Sequence, residues 1–276
     1  MTTTVTEPVR RAELPPDVRV TQARVVVSEW VKFRSLRSSY VALAVSLAAL
    51  VGLAALVGTI VANNWPEFGA EERARFDPAR VSLSGVFLAQ LIIGVLGVLV
   101  VSGEYGTGMI RASMSAAPKR LPVLWGKLAV FAAVGFVVTG VGAVVAFFVG
   151  QSLLSSQHIE TTLGAPGVLR AVLGAALYLT GVGLLGGALG WIFRHTAGAI
   201  STLLGLLLVV PLVAEALPES WARNIVPYLP GNAGQQIMAG HVDPGELAPW
   251  TGFAWFCAYI VAGVAIAVVL LRRRDA

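Results

Sequence analysis

Six uninterrupted apolar runs decide most of what this chain can become. Residues 40–61, 81–101, 128–150, 171–193, 197–214 and 250–271 contain no Asp, Glu, Lys or Arg. A bilayer core needs about 20 apolar residues per helix, because an unpaired backbone group cannot sit in lipid. The runs meet that length, with 197–214 near its lower limit. They predict an all-α polytopic membrane protein with six transmembrane helices. The composition agrees: 13% of the residues are charged and 56% are hydrophobic, against about 25% charged in an ordinary soluble domain. The fourth and fifth runs are separated only by Arg194, His195 and Thr196. A turn there is the simpler reading, since 171–214 is far too long for one span.

Charge placement orients the spans. The net charge is +5, but the basic residues fall in short patches between apolar runs rather than on one polar domain, which argues against nucleic-acid binding. With the N-terminus inside, the inner segments hold Arg10, Arg11, Arg19, Arg24, Lys32, Arg34, Arg37, Arg111, Lys119, Arg120, Lys127, Arg194 and Arg272, Arg273 and Arg274. The outer segments keep Arg73, Arg75, Arg80, Arg170 and Arg223. The positive-inside rule therefore predicts a multi-pass protein of the cell membrane with both termini cytoplasmic. Trp65, Trp125, Trp191 and Trp250 fall near span ends, as interface anchors do, and Trp255 reads as a packing residue. The first apolar run follows a long polar leader and lacks a small-x-small cleavage site, so it reads as a span rather than a signal peptide.

Outside the spans, residues 1–21 read as a disordered tail and 272–276 as a short cytoplasmic tail flanking the transmembrane domain 40–271. In residues 22–39, Val26, Trp30 and Phe33 recur at helical spacing with Lys32 and Arg34 elsewhere. This predicts an amphipathic helix in the inner interface, the alternative being a basic flank that only orients the first span. In the inner loop a short helix is expected over 109–116, ended by Pro118, and Pro122 permits a second helical start. Such a helix suits a moving partner, whereas an ordinary loop carrying positive-inside charges is the plainer alternative. The outer region 211–249, rich in proline, offers short helices over 219–226 and 232–239, or an irregular loop.

Several chemistries lack their residues. There is no GxxxxGK[ST] phosphate loop and no HExxH pair. The expected topology puts His195 inside and His158 and His241 outside, so they do not make one metal site. Ser115 and Ser155 have no evident base beside them, and Cys257 stands alone in an apolar run. No catalytic residue, cofactor or metal is expected. The apolar runs hold no charged coupling site of the kind ion-driven carriers use. Gln90, Thr139 and Thr180 are polar residues expected to bond neighbouring helices. The small-xxx-small pairs Gly183/Gly187 and Gly186/Gly190 allow close helix approach, within one subunit or at a dimer seam.

Three segments resemble the ABC-2 type transporter permeases of the short, six-span bacterial kind. SEWVKFRSLRSSY at 28–40 is similar to that family's interfacial elbow. In 104–127, Glu104-Tyr105, Gly108, Arg111, Pro118-Lys119-Arg120 and Lys127 follow in order the pattern that borders the family's cytoplasmic coupling region. LPGNAGQQI at 229–237 resembles the segment before its last span. The resemblance, over roughly 24–272, implies an exporter subunit moving a drug, lipid or other amphipathic substrate. It implies two cytosolic ATPase subunits that hydrolyse ATP, a second permease half as homodimer or heterodimer, and membrane lipids as partners. It also implies ATPase contact across 111–120, and Glu104 and Lys127 are opposite charges able to pair if close. The alternatives are a non-transporting membrane anchor or immunity protein and an ion-coupled secondary carrier.

Overall fold

The structure, a computed structural model, describes residues 21–110, 120–242 and 244–273. The tail 1–20 and most of the short helix expected over 109–116 lie outside the described residues. Among the described residues there is no strand, and six helices are long and apolar enough to cross a membrane. The chain is an all-α, six-span polytopic membrane protein.

Helix α1 (Gln22–Ser35) starts at Thr21, whose side chain accepts from the Arg24 amide. Leu36, in an extended conformation, separates it from α2 (Arg37–Asn64), the body of the first span. Two short helices follow, α3 (Ala70–Ala74) and α4 (Pro78–Ser82). The second span, α5 (Val86–Gly106), thus begins five residues later than the apolar run predicts. The cause is Asp77, whose carboxylate caps the new helix α4 by accepting from the Ala79 and Arg80 amides. A turn with Gly85 pressed against the first span comes next: a Cβ there would stand 2.4 Å from the Leu50 carbonyl oxygen.

The third span, α6 (Leu121–Leu154), begins with Pro122 in its first turn, where the missing N–H costs nothing. The fourth, α7 (Val168–Phe193), ends at Arg194, whose left-handed backbone (φ 54°) makes the tight reversal. His195 then caps α8 (Thr196–Leu204). The fifth span continues through a π turn, Gly205–Val209, into α9 (Val210–Glu215). Pro211 has no N–H to give the Leu207 carbonyl, and the widened turn absorbs that loss. Helix α10 (Glu219–Ile225) and helix α11 (Pro230–Gln235), each followed by a 3₁₀ turn, occupy the proline-rich region before the sixth span, α12 (Pro249–Arg273).

Helix α7 is the axis of the bundle: 72% of its apolar window is buried, against 22% for the fifth span. Glycine makes this possible. A Cβ on Gly97 would lie 2.0 Å from the Gly183 carbonyl oxygen, and one on Gly186 would lie 2.3 Å from that of Gly94. The glycines of α7 therefore seat α5 backbone against backbone within one subunit. Gly183 and Gly234 further admit the rings of Phe131 and Tyr178.

Some side chains depart from expectation. Trp191 is buried rather than at an interface, packed edge-on against Tyr105 with ring centres 5.8 Å apart. Trp255 is 47% exposed and meets Tyr228 on the bundle's flank instead of filling the core. Thr180 bonds the Ala176 carbonyl of its own helix, while Thr139 also reaches that carbonyl across the helix pair, at 3.4 Å.

Gly97→Ala should force α5 and α7 apart and cost about 1–3 kcal/mol, as overpacking does. Gly103→Ala, on the same helix with open space around it, should be neutral or slightly stabilising. Thermal unfolding of both variants in detergent checks the contrast.

Candidate functional site

At the end of the bundle where α1 packs, called basal below, four charged side chains close into a ring. The Lys127 ammonium donates to Glu29 Oε2 at 2.7 Å and to Glu104 Oε1 at 2.9 Å. Lys32 donates to Glu29 Oε1 at 2.7 Å and to Glu104 Oε1 at 3.2 Å. Opposite charges therefore alternate around the ring. The Glu29, Glu104 and Lys127 side chains are 3–5% exposed and that of Lys32 is 25% exposed.

Helix α1 supplies half of the ring, and its docking explains why. It runs in the same chain direction as the first turns of α6. Gln22 donates to the Pro122 carbonyl, Val25 packs on Gly126, Glu29 meets Lys127, and Phe33 meets Phe131 edge-on. Its buried face is Val25, Glu29 and Phe33, one row at a spacing of four. Phe33 and Val26 turn inward as the apolar spacing predicts, but Trp30 is 44% exposed and Glu29 takes the inward position. At 34 residues, α6 is about 50 Å long against a hydrocarbon core of about 30 Å. It is therefore longer than a span requires, and α1 rests on its first turns at the basal end.

The ring puts buried charge at the ends of two spans: Glu104 and Lys127 lie inside α5 and α6 where those helices extend beyond the apolar runs 81–101 and 128–150, which themselves hold no charge. Both charges are compensated, as burial demands. Burial lowers the affinity of Lys32 for its proton, but the hydrogen bond to Glu29 and the fields of Glu104 and Glu29 outweigh this, so its pKa is raised above the usual lysine value. Glu104 Oε2 is buried and has no hydrogen-bond partner among the described residues. A small recess beside it is lined by ring residues and by Phe33, Leu36, Val100 and Val130.

The other expected site residues scatter around this ring. Tyr105 turns to the opposite side, between Trp191 and the Arg194 guanidinium, which lies 5.4 Å from its ring centre. Gly108 takes a left-handed backbone (φ 73°) that glycine tolerates best. Arg120 donates to the Leu271 carbonyl at 3.4 Å, at the C-terminal end of α12, where a cation is favoured. Arg111, Pro118 and Lys119 lie outside the described residues. Sequence reasoning missed Glu29. Its signal is the four-residue spacing from Val25 and to Phe33, which puts an acid on the apolar face.

The opposite end holds a second buried polar cluster. Tyr178, on α7, donates its hydroxyl to Gln90 Oε1 on α5, and Gln235 on α11 donates weakly to both, at 3.4 and 3.5 Å. Gln90 and Tyr178 are fully buried. This cluster draws the segment before the sixth span in against the fourth. Arg170 donates to the Ala239 carbonyl at 2.8 Å, and the Gly240 amide donates to Asp77 at 3.2 Å, tying the segment's far end to the first turn of α7 and to the cap of α4. Among the described residues no group of three or more metal-ligating side chains converges.

Fold and geometry define a multi-spanning membrane protein whose two ends are fastened by polar clusters around a glycine-packed axis. The chain matches no protein-family model, and no curated protein matches it in sequence.

Lys127→Met should leave the Glu29 and Glu104 carboxylates facing each other and cost about 3–5 kcal/mol. Adding Glu29→Gln and Glu104→Gln should recover most of that loss in thermal unfolding. The stability that Lys32 adds over Lys32→Met is fully present below the unfolded pKa near 10.5 and is lost only as pH rises through its raised value. The difference between wild type and Lys32→Met should therefore hold constant from neutral pH to about 9.5, with respect to Lys32 titration. Tyr178→Phe should cost about 1 kcal/mol and speed amide exchange in 229–238.

Proposed function

We propose that this chain is the membrane-spanning permease subunit of an ABC exporter, with ATP hydrolysed by separate cytosolic subunits and a second permease half completing the channel. The chain itself performs no catalysis in this reading. By the resemblance, its substrate is a drug, lipid or other amphipathic molecule.

The observation that carries the reading is the basal ion ring. It binds α1, the end of α5 and the start of α6 into one unit. These helices flank the connection 107–120, of which 111–120 is by resemblance the stretch touched by the ATPase. A pull on that connection would move both spans and α1 together, because parting the ring would strand charges in a nearly dry site. The same end carries most of the described basic residues, so the positive-inside rule supports a cytoplasmic basal end and cytoplasmic termini. The order of Glu104-Tyr105, Gly108, Arg111, Pro118-Lys119-Arg120 and Lys127 and the lack of a phosphate loop add support from the sequence.

An ion-coupled carrier is the second reading, favoured by the buried Glu104 carboxylate, whose Oε2 meets no hydrogen-bond donor among the described residues. Transport driven by a proton gradient without ATP would support it.

The test is ATPase turnover in proteoliposomes containing this chain and its candidate ATPase. Turnover should depend on the permease and fall at least tenfold in Arg111→Ala and in Lys119→Ala/Arg120→Ala while the complex stays assembled. If the two proteins neither associate nor alter turnover, that pairing is wrong.

A further inference from the structure

The short helix α10 leaves an apolar row facing away from the bundle. Trp221 and Ile225 are 64% and 39% exposed and, four residues apart, share one face. Ala222 and, in the turn that follows, Val226 are only partly exposed. Polar residues take the remaining face. Arg223 donates to Glu219 at 2.7 Å, and the Asn224 side-chain amide donates to the Ser220 carbonyl. The helix is thus amphipathic, and its two charges neutralise each other.

What covers the row follows from where the chain holds it. Only residues 216–218 join the fifth span to α10, so the start of α10 lies within about 14 Å of the end of that span. Leu212 and Val213, near that end, are exposed. Beyond α10, the Tyr228 carbonyl accepts from the Tyr259 hydroxyl at 3.1 Å, and the Tyr228 ring meets Trp255 edge-on. Trp255 and Tyr259 lie about 9 and 15 Å along α12 from its start at Pro249. At 25 residues, α12 is about 37 Å long, only about 7 Å more than the hydrocarbon core. Tyr228 is therefore held alongside the sixth span rather than above it. Both ends of the segment 219–228 are pinned at membrane level, and its apolar row continues the exposed apolar flank of the fifth span. An amphipathic helix with an outward tryptophan at that level fits the boundary between headgroups and acyl chains.

We propose that α10 lies in the membrane interface at the end opposite the ring, with Trp221 and Ile225 resting on phospholipid acyl chains and Ser220 and Asn224 facing the headgroups. Because Glu219 and Arg223 are paired, the surface takes phospholipids without regard to headgroup charge. The inference does not depend on the transport reading.

Spin labels on the full chain test it. In a Cys257→Ala background one label at a time is attached through Trp221→Cys, Ile225→Cys, Ser220→Cys or Asn224→Cys, and the protein is reconstituted in phosphatidylcholine bilayers. Collision rates are measured with oxygen, which concentrates in lipid, and with a neutral nickel chelate, which stays in water. The oxygen-to-nickel ratio should be at least about threefold higher at 221 and 225 than at 220 and 224. Ile225→Cys is the milder change and keeps the test decisive if Trp221→Cys disturbs the helix. Exchanging about a third of the phosphatidylcholine for phosphatidylglycerol should leave the contrast unchanged. Equal ratios at all four positions, with frequent nickel collisions, would overturn the proposal and put α10 in water. Rare collisions with both reagents at 221 and 225 would also overturn it and point to a second copy or a protein partner on the row. A contrast that grows with phosphatidylglycerol would overturn the indifference to headgroup charge.

Discussion

Every other contact in this protein presupposes the backbone approach between the second and fourth spans. Helices in lipid gain little from hiding apolar side chains, because the lipid is equally apolar; they associate through close packing and a few polar bonds. Gly94 and Gly97 on α5 meet Gly183 and Gly186 on α7 with no side chain between them. That contact makes α7 the buried axis and sets the distances at which everything else must fit. It brings Tyr178 within reach of Gln90 and Ser102 within 2.9 Å of Thr196. The first, fifth and sixth spans remain largely exposed at the periphery.

The two polar clusters solve the same problem differently. At the basal end four formal charges are removed from water, which is costly unless each meets its opposite. The ring achieves this with two acids and two bases drawn from three helices, leaving one carboxylate oxygen without a partner among the described residues. At the other end neutral groups suffice, because a hydroxyl and two amides hold the segment before the sixth span. The ionic end is the more demanding, since losing one member strands a charge, whereas losing the Tyr178 hydroxyl leaves a neutral amide oxygen with its weak bond from Gln235. This asymmetry is why the proposed coupling function is assigned to the basal end.

The spans were legible because lipid imposes one simple rule on every residue in it. Continuous apolarity of adequate length is that rule, and the reversal at Arg194 and His195 was visible as the gap between two runs. Span ends were less legible. Lys127 and Glu104 sit within helices although they are charged, because partners from other helices neutralise them, and no local window contains those partners. The second span starts late because Asp77 caps a separate helix and Gly85 must clear Leu50, and the latter contact is made across the bundle. Trp191 looked like an interface anchor by position, yet the approach of Tyr105 encloses it.

The sequence by itself determined that this chain crosses a membrane six times, where it turns, and which short stretches carry its charge, since each follows from the transfer of local segments between water and lipid. Only the tertiary structure decided that Glu29 and Lys32 join Glu104 and Lys127, and that Gln90, Tyr178 and Gln235 form one network. It also decided that the fourth span's glycines serve packing within the subunit. These facts depend on distances between residues far apart in the chain. Such distances are fixed by how closely backbones approach, a property of the assembled bundle rather than of any one segment.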